Sequence, residues 1–86
     1  MELRQLKYFL AVVEEGNFTR AAAKSGISQP SLTNAIGTLE RSLGARLFHR
    51  SHRGATLTEL GRALKPHFAE MVATEKLIRQ IVAAFI

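Results

Sequence analysis

The sequence of 86 residues contains no cysteine and no aspartate. Without cysteine, disulfide bridges and thiolate metal sites are excluded, and a reducing compartment suits the chain. A catalytic triad with a nucleophile could then consist only of serine, histidine and glutamate. No serine lies in the sharp strand-turn-helix connection that such a nucleophile requires. We therefore expect no enzymatic activity.

Long apolar runs are also missing. The run Tyr8 to Val13 is short and is closed by two glutamates, which is not the pattern of a signal peptide. No stretch approaches the roughly 18 apolar residues that a membrane span needs. A chain of this length supports one small core. We expect a soluble cytoplasmic protein without a membrane partner.

Metal ligands are scarce as well. The three histidines, His49, His52 and His67, are not accompanied by a cluster of carboxylates. A metal site normally draws three or four such ligands together. Solvated or phosphate-facing histidines are the better interpretation, and we expect neither a metal nor a cofactor.

Positive charge is abundant and unevenly distributed. Twelve Lys and Arg residues oppose seven acids, for a net charge of +5. Between Gly16 and Thr58 there are six basic residues and the single acid Glu40, whereas the stretch from Glu59 onward is nearly neutral. This distribution favours an acidic polymer as partner. The alternative is a solvated basic face without function.

Helical periodicity and capping signals predict three consecutive helices. The first runs from about Glu2 to Glu15, and the second from Phe18 to about Ser25, with Asn17 as its N-cap. The third begins after the N-cap Ser28, with a proline tolerated in its first turn. Its apolar face carries Leu32, Ile36, Leu39 and Leu43.

The second half of the chain predicts a hairpin and a long helix. Two short segments, Leu47 to Arg50 and Thr56 to Thr58, flank a polar glycine-containing stretch that is typical of a β-hairpin. Thr58 then caps a helix from Glu59 to the end. The fold class is mainly α: a winged helix-turn-helix of three helices and a two-stranded wing in residues 1–58, followed by a linker and dimerisation helix in residues 59–86.

Three residues match the requirements of a helix-turn-helix. The motif needs a small residue where its helices cross, a residue tolerant of positive φ in the turn and an apolar anchor on the second helix. Ala22, Gly26 and Leu32 supply these at spacings of four and six residues. Each is weak alone, but with the capped helix and the basic hairpin they form a strong signal.

The same region resembles the DNA-binding domain of LysR-type bacterial transcriptional regulators. The matching segments are AAAKSGISQPSL, LERSLGARLFHR and LTELG, and the resemblance extends from about Leu3 to Phe68. It implies a recognition helix from about Gln29 to Ser42, a wing from Leu47 to Thr58 and double-stranded DNA as partner. The family continues into an effector-binding domain, so a small-molecule inducer would act through a domain that this chain lacks.

The exposed face of the third helix carries the candidate residues for DNA. Side chains near the start of such a helix reach base edges in the major groove, and Gln and Asn can pair with adenine. Thr19 and the free amides of the second helix are placed for a phosphate. The resemblance implies that Arg50 and Arg53 flank or enter the minor groove. The full set is Thr19, Gln29, Pro30, Ser31, Thr33, Asn34, Thr38, Arg50 and Arg53.

Alternatives exist for several of these residues. Gln29 and Ser31 could merely cap the helix, and Arg46 could pair with Glu40 or with an N-terminal acid. Many family members carry a basic residue where this chain has Asn34 and another where it has Gly37. Gly37 should also cost about 1 kcal/mol of helix propensity relative to alanine.

The last helix carries an apolar stripe at alternating steps of four and three, as in a coiled coil. Its members are Leu64, Phe68, Met71, Ile78, Val82 and Phe85, interrupted only by Glu75. We predict that the stripe forms a homodimer and places two recognition helices on a pseudo-palindromic site. The alternative is that it belongs to the core of one chain. A helical adaptor without specific DNA binding is the rival function; RNA binding is disfavoured because no aromatic platform is exposed.

Overall fold

Four helices and one antiparallel hairpin follow one another in the computed structural model, which describes residues 1–86. The elements are α1 (Leu3–Glu15), α2 (Phe18–Ser25), α3 (Gln29–Leu43), β1 (Phe48–Ser51), β2 (Gly54–Leu57) and α4 (Glu59–Phe85). This is the predicted winged helix-turn-helix with a long final helix. The second strand begins at Gly54 rather than Thr56, because the ladder continues until Ser51 pairs with Gly54 and only two residues remain in the turn.

The predicted capping residues explain where three helices begin. The Asn17 side chain accepts a hydrogen bond from the Arg20 amide at 2.9 Å. Ser28 and Thr58 do the same for α3 and α4, accepting from amides three residues ahead. Each bond satisfies an amide that has no partner within its helix. The turn between α2 and α3 is short because Gly26 adopts φ 71°, a left-handed conformation that glycine tolerates without strain.

Aromatic side chains join the helices to the wing. Phe9 of α1 contacts Phe48 of β1 and Phe68 of α4, with ring centroids 5.2 and 5.1 Å apart. Phe18 of α2 meets Phe48 from the other side at 5.7 Å. Offset and edge-to-face contacts of this kind add about 0.5–1.5 kcal/mol per pair to the effect of burial. The core therefore includes residues from both helices and wing.

Glu40 fixes the start of the wing to α3. Its carboxylate accepts hydrogen bonds from the amide of Leu47 at 2.7 Å and, more weakly, from that of Phe48 at 3.4 Å. The same oxygen lies 3.6 Å from Nε of Arg46, so Glu40 is the acid with which Arg46 pairs. The Glu40 side chain is only 12% exposed. On the other edge of the wing, the Ala55 amide donates to the carbonyl of Gly16 at 3.0 Å.

The first turns of α4 belong to the same core. Phe68 is 3% exposed, so its assignment to a pairing surface is wrong; it is held by Phe9 within its own chain. Leu64 is partly buried against the same cluster. The division of the chain at residue 58 into a DNA-binding part and a dimerisation helix stays a prediction about function, because residues on both sides of it pack in one core.

The far end of α4 is exposed. Its apolar side chains Met71, Ile78, Val82 and Phe85 are between 46% and 87% exposed, and Leu77 and Ile81 are similar. Glu75, in the middle of the stripe, lies 3.6 Å from Lys7 of α1 and pairs with Arg79 one turn ahead. The Arg79 hydrogen bond holds the pKa of Glu75 below its ordinary value. No helix is long and apolar enough to cross a membrane.

We predict that Glu40→Ala lowers the free energy of unfolding by about 1 to 3 kcal/mol, because the Leu47 and Phe48 amides lose their acceptor. Urea denaturation measures the change. Glu40→Gln keeps a carbonyl acceptor and should lose less, while Glu70→Ala, at an exposed position of α4, serves as control. Equal stability of the alanine variant and the wild type would contradict a structural role for this carboxylate.

Candidate nucleic-acid interface

The exposed face of α3 lies opposite the residues that anchor it. Leu32, Ile36 and Leu39 are buried. At 100° per residue, the opposite side of the helix carries Pro30, Asn34, Gly37 and Arg41 in one row. Because the other face is buried, this row points away from the core.

The start of α3 is tied to α2. Thr19 Oγ1 donates to Oε1 of Gln29 at 3.0 Å. This leaves the two amide protons of Gln29 available to an acceptor, and the capping role is taken by Ser28 instead. Ser31 Oγ accepts from the Ser28 hydroxyl at 2.9 Å and so supports the cap. The two alternatives considered for these residues thus separate: Ser31 assists the helix start, and Gln29 does not.

The wing borders one side of the exposed face. Gln29, Pro30, Thr33, Asn34 and Arg50 line one surface hollow between α3 and β1. Five of the nine candidate residues, from two distant parts of the sequence, are therefore brought together. The hollow is open to solvent, and no hydrophobic residue lines it.

An aromatic ring under Arg50 directs that side chain. The Arg50 guanidinium carbon lies 3.9 Å from the centroid of the Phe18 ring. A guanidinium over a ring face is attracted by the ring quadrupole, worth about 0.5 to 1 kcal/mol at exposed sites. Arg53 lies with His52 in the hairpin turn, exposed and without a salt bridge.

The N-terminus of α1 borders the other side. Arg4 shares a hollow with Ser31, Ala35 and Thr38 of α3. Thr38 Oγ1 donates to the carbonyl of Asn34 at 2.9 Å. The sequence did not predict Arg4 at this interface. Only the packing of α1 on α3 brings Arg4 there, and no nearby sequence pattern indicates that packing.

Of the six basic residues between Gly16 and Thr58, Arg20 and Lys24 pair with acids at the end of α1, and Arg46 pairs with Glu40. Lys24 pairs with Glu14 at 2.5 Å and with Glu15 at 3.5 Å, and Arg20 also contacts Glu15. The hydrogen bond to Glu14 raises the pKa of Lys24. These side chains are on the surface, yet their charges are compensated by the end of α1.

Four arginines near the exposed face form no salt bridge. They are Arg4, Arg41, Arg50 and Arg53. Of the basic side chains without a salt bridge, these four lie on α1, α3 and the wing, and Arg62, Lys65 and Lys76 lie on α4. No group of three histidine or carboxylate side chains is arranged to hold a metal ion.

A polar helix face with arginines on either side, built on a winged helix-turn-helix, defines a class of nucleic-acid-binding domain. The model of the family described as bacterial regulatory helix-turn-helix protein, lysR family, matches residues 3–62. The chain belongs to this family.

Two relatives of the chain are HTH-type transcriptional regulators. The chain is 49% identical over 73 residues to the HTH-type transcriptional regulator TfdT of Cupriavidus pinatubonensis, which covers 85% of this chain and 32% of TfdT. It is 56% identical over 61 residues to ClcR of Pseudomonas putida, covering 71% of this chain and 21% of ClcR. The chain thus spans a third or less of the length of these relatives.

A solved structure of a family member with DNA has nearly the same fold. The BenM DNA-binding domain in complex with benA site 1 DNA is 36% identical, with a TM-score of 0.92 and full coverage of both chains. In that structure, the BenM domain is bound to DNA.

Proposed function

We propose that this chain binds double-stranded DNA in a sequence-specific manner as the DNA-binding part of a transcriptional regulator. One observation carries the proposal: the exposed polar face of α3 lies between Arg50 and Arg4, neither of which forms a salt bridge. The likeness to a DNA-binding domain solved on DNA supports it. A helical adaptor would leave this charged face without a use.

In the proposed complex, α3 enters the major groove. Gln29, Thr33 and Asn34 face outward near its start, where side chains reach base edges. Gln29 offers two amide protons, and Asn34 is exposed with its side chain unbonded to the protein. Pro30, Ser31 and Thr38 complete the contact face.

The remaining candidate residues would contact DNA phosphates or the minor groove. Thr19 lies in the first turn of α2, where free amides favour an anion. Arg50, held over Phe18, and Arg53 in the turn of the wing would reach the flanking minor groove, whose narrow A·T-rich segments attract arginine. The basic hairpin thereby extends the site beyond the helix.

A second copy of the chain covers the far end of α4 in this proposal. The exposed stripe there contains Met71, Ile78, Val82 and Phe85, with Leu77 and Ile81 beside them. A contiguous apolar surface of this kind usually marks an interface. Two-fold pairing would present two copies of α3 to half-sites about one helical turn apart.

The proposed role needs no catalysis, metal or cofactor from this chain. A regulator of chromosomal DNA would work in the cytoplasm. Any response to a small-molecule inducer would require a part of the regulator beyond these residues.

We predict that affinity for duplex DNA falls steeply with salt, because each phosphate neutralised releases counterions and adds roughly 0.9 to the slope of log K against log salt. Fluorescence anisotropy of a labelled duplex between low and physiological salt measures the slope. Arg50→Ala should reduce it by about one such step, and Lys24→Ala, whose charge is already paired, should not. A flat salt dependence would exclude DNA as the partner.

We predict that Asn34→Ala costs about 1 to 3 kcal/mol of binding free energy on a duplex enriched from a random pool, and far less on a scrambled duplex. Thr33→Ala should behave alike. The reason is that base readout is lost while phosphate contacts remain. Equal losses on the two duplexes would show that these side chains contact only the backbone.

We predict that the chain is a dimer and that Ile78→Asp with Val82→Asp makes it a monomer, because two charges would be placed in an apolar interface. Sedimentation equilibrium at tens of micromolar decides this. Gln80→Asp with Ala83→Asp adds the same charges away from the stripe and should stay dimeric. A monomeric wild type, or a dimeric stripe variant, would overturn the assignment.

A further inference from the structure

Arg41 is the only basic residue of α3. It lies on the same row as Asn34 and Gly37, one turn beyond Gly37 and two beyond Asn34. Side chains on a helix lean towards its N-terminus. The row therefore allows the guanidinium of Arg41 to approach the part of the helix that faces the major groove in the proposed complex.

A Cβ atom at Gly37 would crowd the guanidinium of Arg41, which would have to shift by a few tenths of an ångström. A Cβ atom at Gly37 would lie 3.2 Å from Nη1 of Arg41 and 3.9 Å from its Cζ. That separation is tighter than an ordinary van der Waals contact. Glycine, which is otherwise unfavourable inside a helix, thus leaves room for the folded arginine.

One hydrogen bond directs the guanidinium of Arg41 towards Thr38. Nη2 of Arg41 donates to Oγ1 of Thr38 at 3.2 Å, and Thr38 donates in turn to the carbonyl of Asn34 at 2.9 Å. The adjacent carboxylate of Glu40 is engaged by Arg46 and by the wing amides. Arg41 therefore forms no salt bridge, and its guanidinium lies over the preceding turn of α3.

We propose that Arg41, folded over Gly37, binds a DNA phosphate beside the bases that the start of α3 reads. The proposal rests on the proposed function, since it assumes that α3 lies in the major groove. A phosphate is the ligand because the residues with exposed amide groups precede Arg41 by two turns or more, and a recognition helix leaves the base edges towards its C-terminal end. A guanidinium offers paired N–H donors that match phosphate oxygens.

The test is a double-mutant cycle on Gly37→Ala and Arg41→Ala. Anisotropy titrations use two duplexes of equal length and composition, one enriched by the wild type and one scrambled, over a salt series. Lys65→Ala removes the same charge from an exposed position of α4 and serves as control. Thermal unfolding is followed for each variant, because alanine should stabilise the helix at position 37.

We expect Arg41→Ala to weaken binding to both duplexes by a similar factor, about five- to tenfold, and to lower the salt slope by about one phosphate. Gly37→Ala should weaken binding about threefold while leaving the melting temperature unchanged or higher, because it displaces the guanidinium. In the Arg41→Ala background, Gly37→Ala should have no effect on binding. Lys65→Ala should retain the wild-type affinity.

Three results would overturn the proposal. If Arg41→Ala bound DNA with the same affinity as Lys65→Ala, Arg41 would not contact a phosphate. A loss confined to the enriched duplex would make Arg41 a base-reading residue. A Gly37→Ala penalty of equal size in both backgrounds would show that the glycine acts independently of Arg41. Failure of the wild type to bind either duplex would instead refute the proposed function, and is separate from these outcomes.

Discussion

The position of the wing relative to α3 depends on one carboxylate. Glu40 is the only acid between Gly16 and Thr58, and it accepts the amides of Leu47 and Phe48 from a largely buried position. A charged acceptor bound to backbone donors is stronger than a neutral one. The same carboxylate pairs with Arg46, so the acid serves the fold, and Arg41, Arg50 and Arg53 of that region form no salt bridge.

Contacts between aromatic rings connect the start of the wing to the surface of the protein. Phe48, which follows the residues held by Glu40, packs between Phe9 and Phe18. The ring of Phe18 in turn lies beneath the guanidinium of Arg50. A change in the core would therefore move an arginine of the candidate interface, so the interface cannot be understood from its exposed residues alone.

Local signals were sufficient to predict the elements, and tertiary packing decided the rest. Caps such as Ser28 and turn glycines such as Gly26 act within a few residues, so the sequence predicts the helix boundaries closely. The same stripe rule assigned Phe68 to a partner, although Phe9 of the same chain covers it. Periodicity shows that a face is apolar without showing what buries it. Arg4 was missed for the same reason.

Gly37 and Arg41 illustrate how a residue without a side chain can affect the next turn of a helix. Arg41 lies one turn beyond Gly37, and its Nη1 is 3.2 Å from the place that a Cβ atom at position 37 would take. The guanidinium also donates to Thr38, which donates in turn to the carbonyl of Asn34. In the proposed complex, the one basic side chain of α3 would therefore lie beside the helix face that carries Asn34. The positive charge that α3 brings to DNA thus depends on the path of one long side chain, and a small residue on the same row leaves that path free.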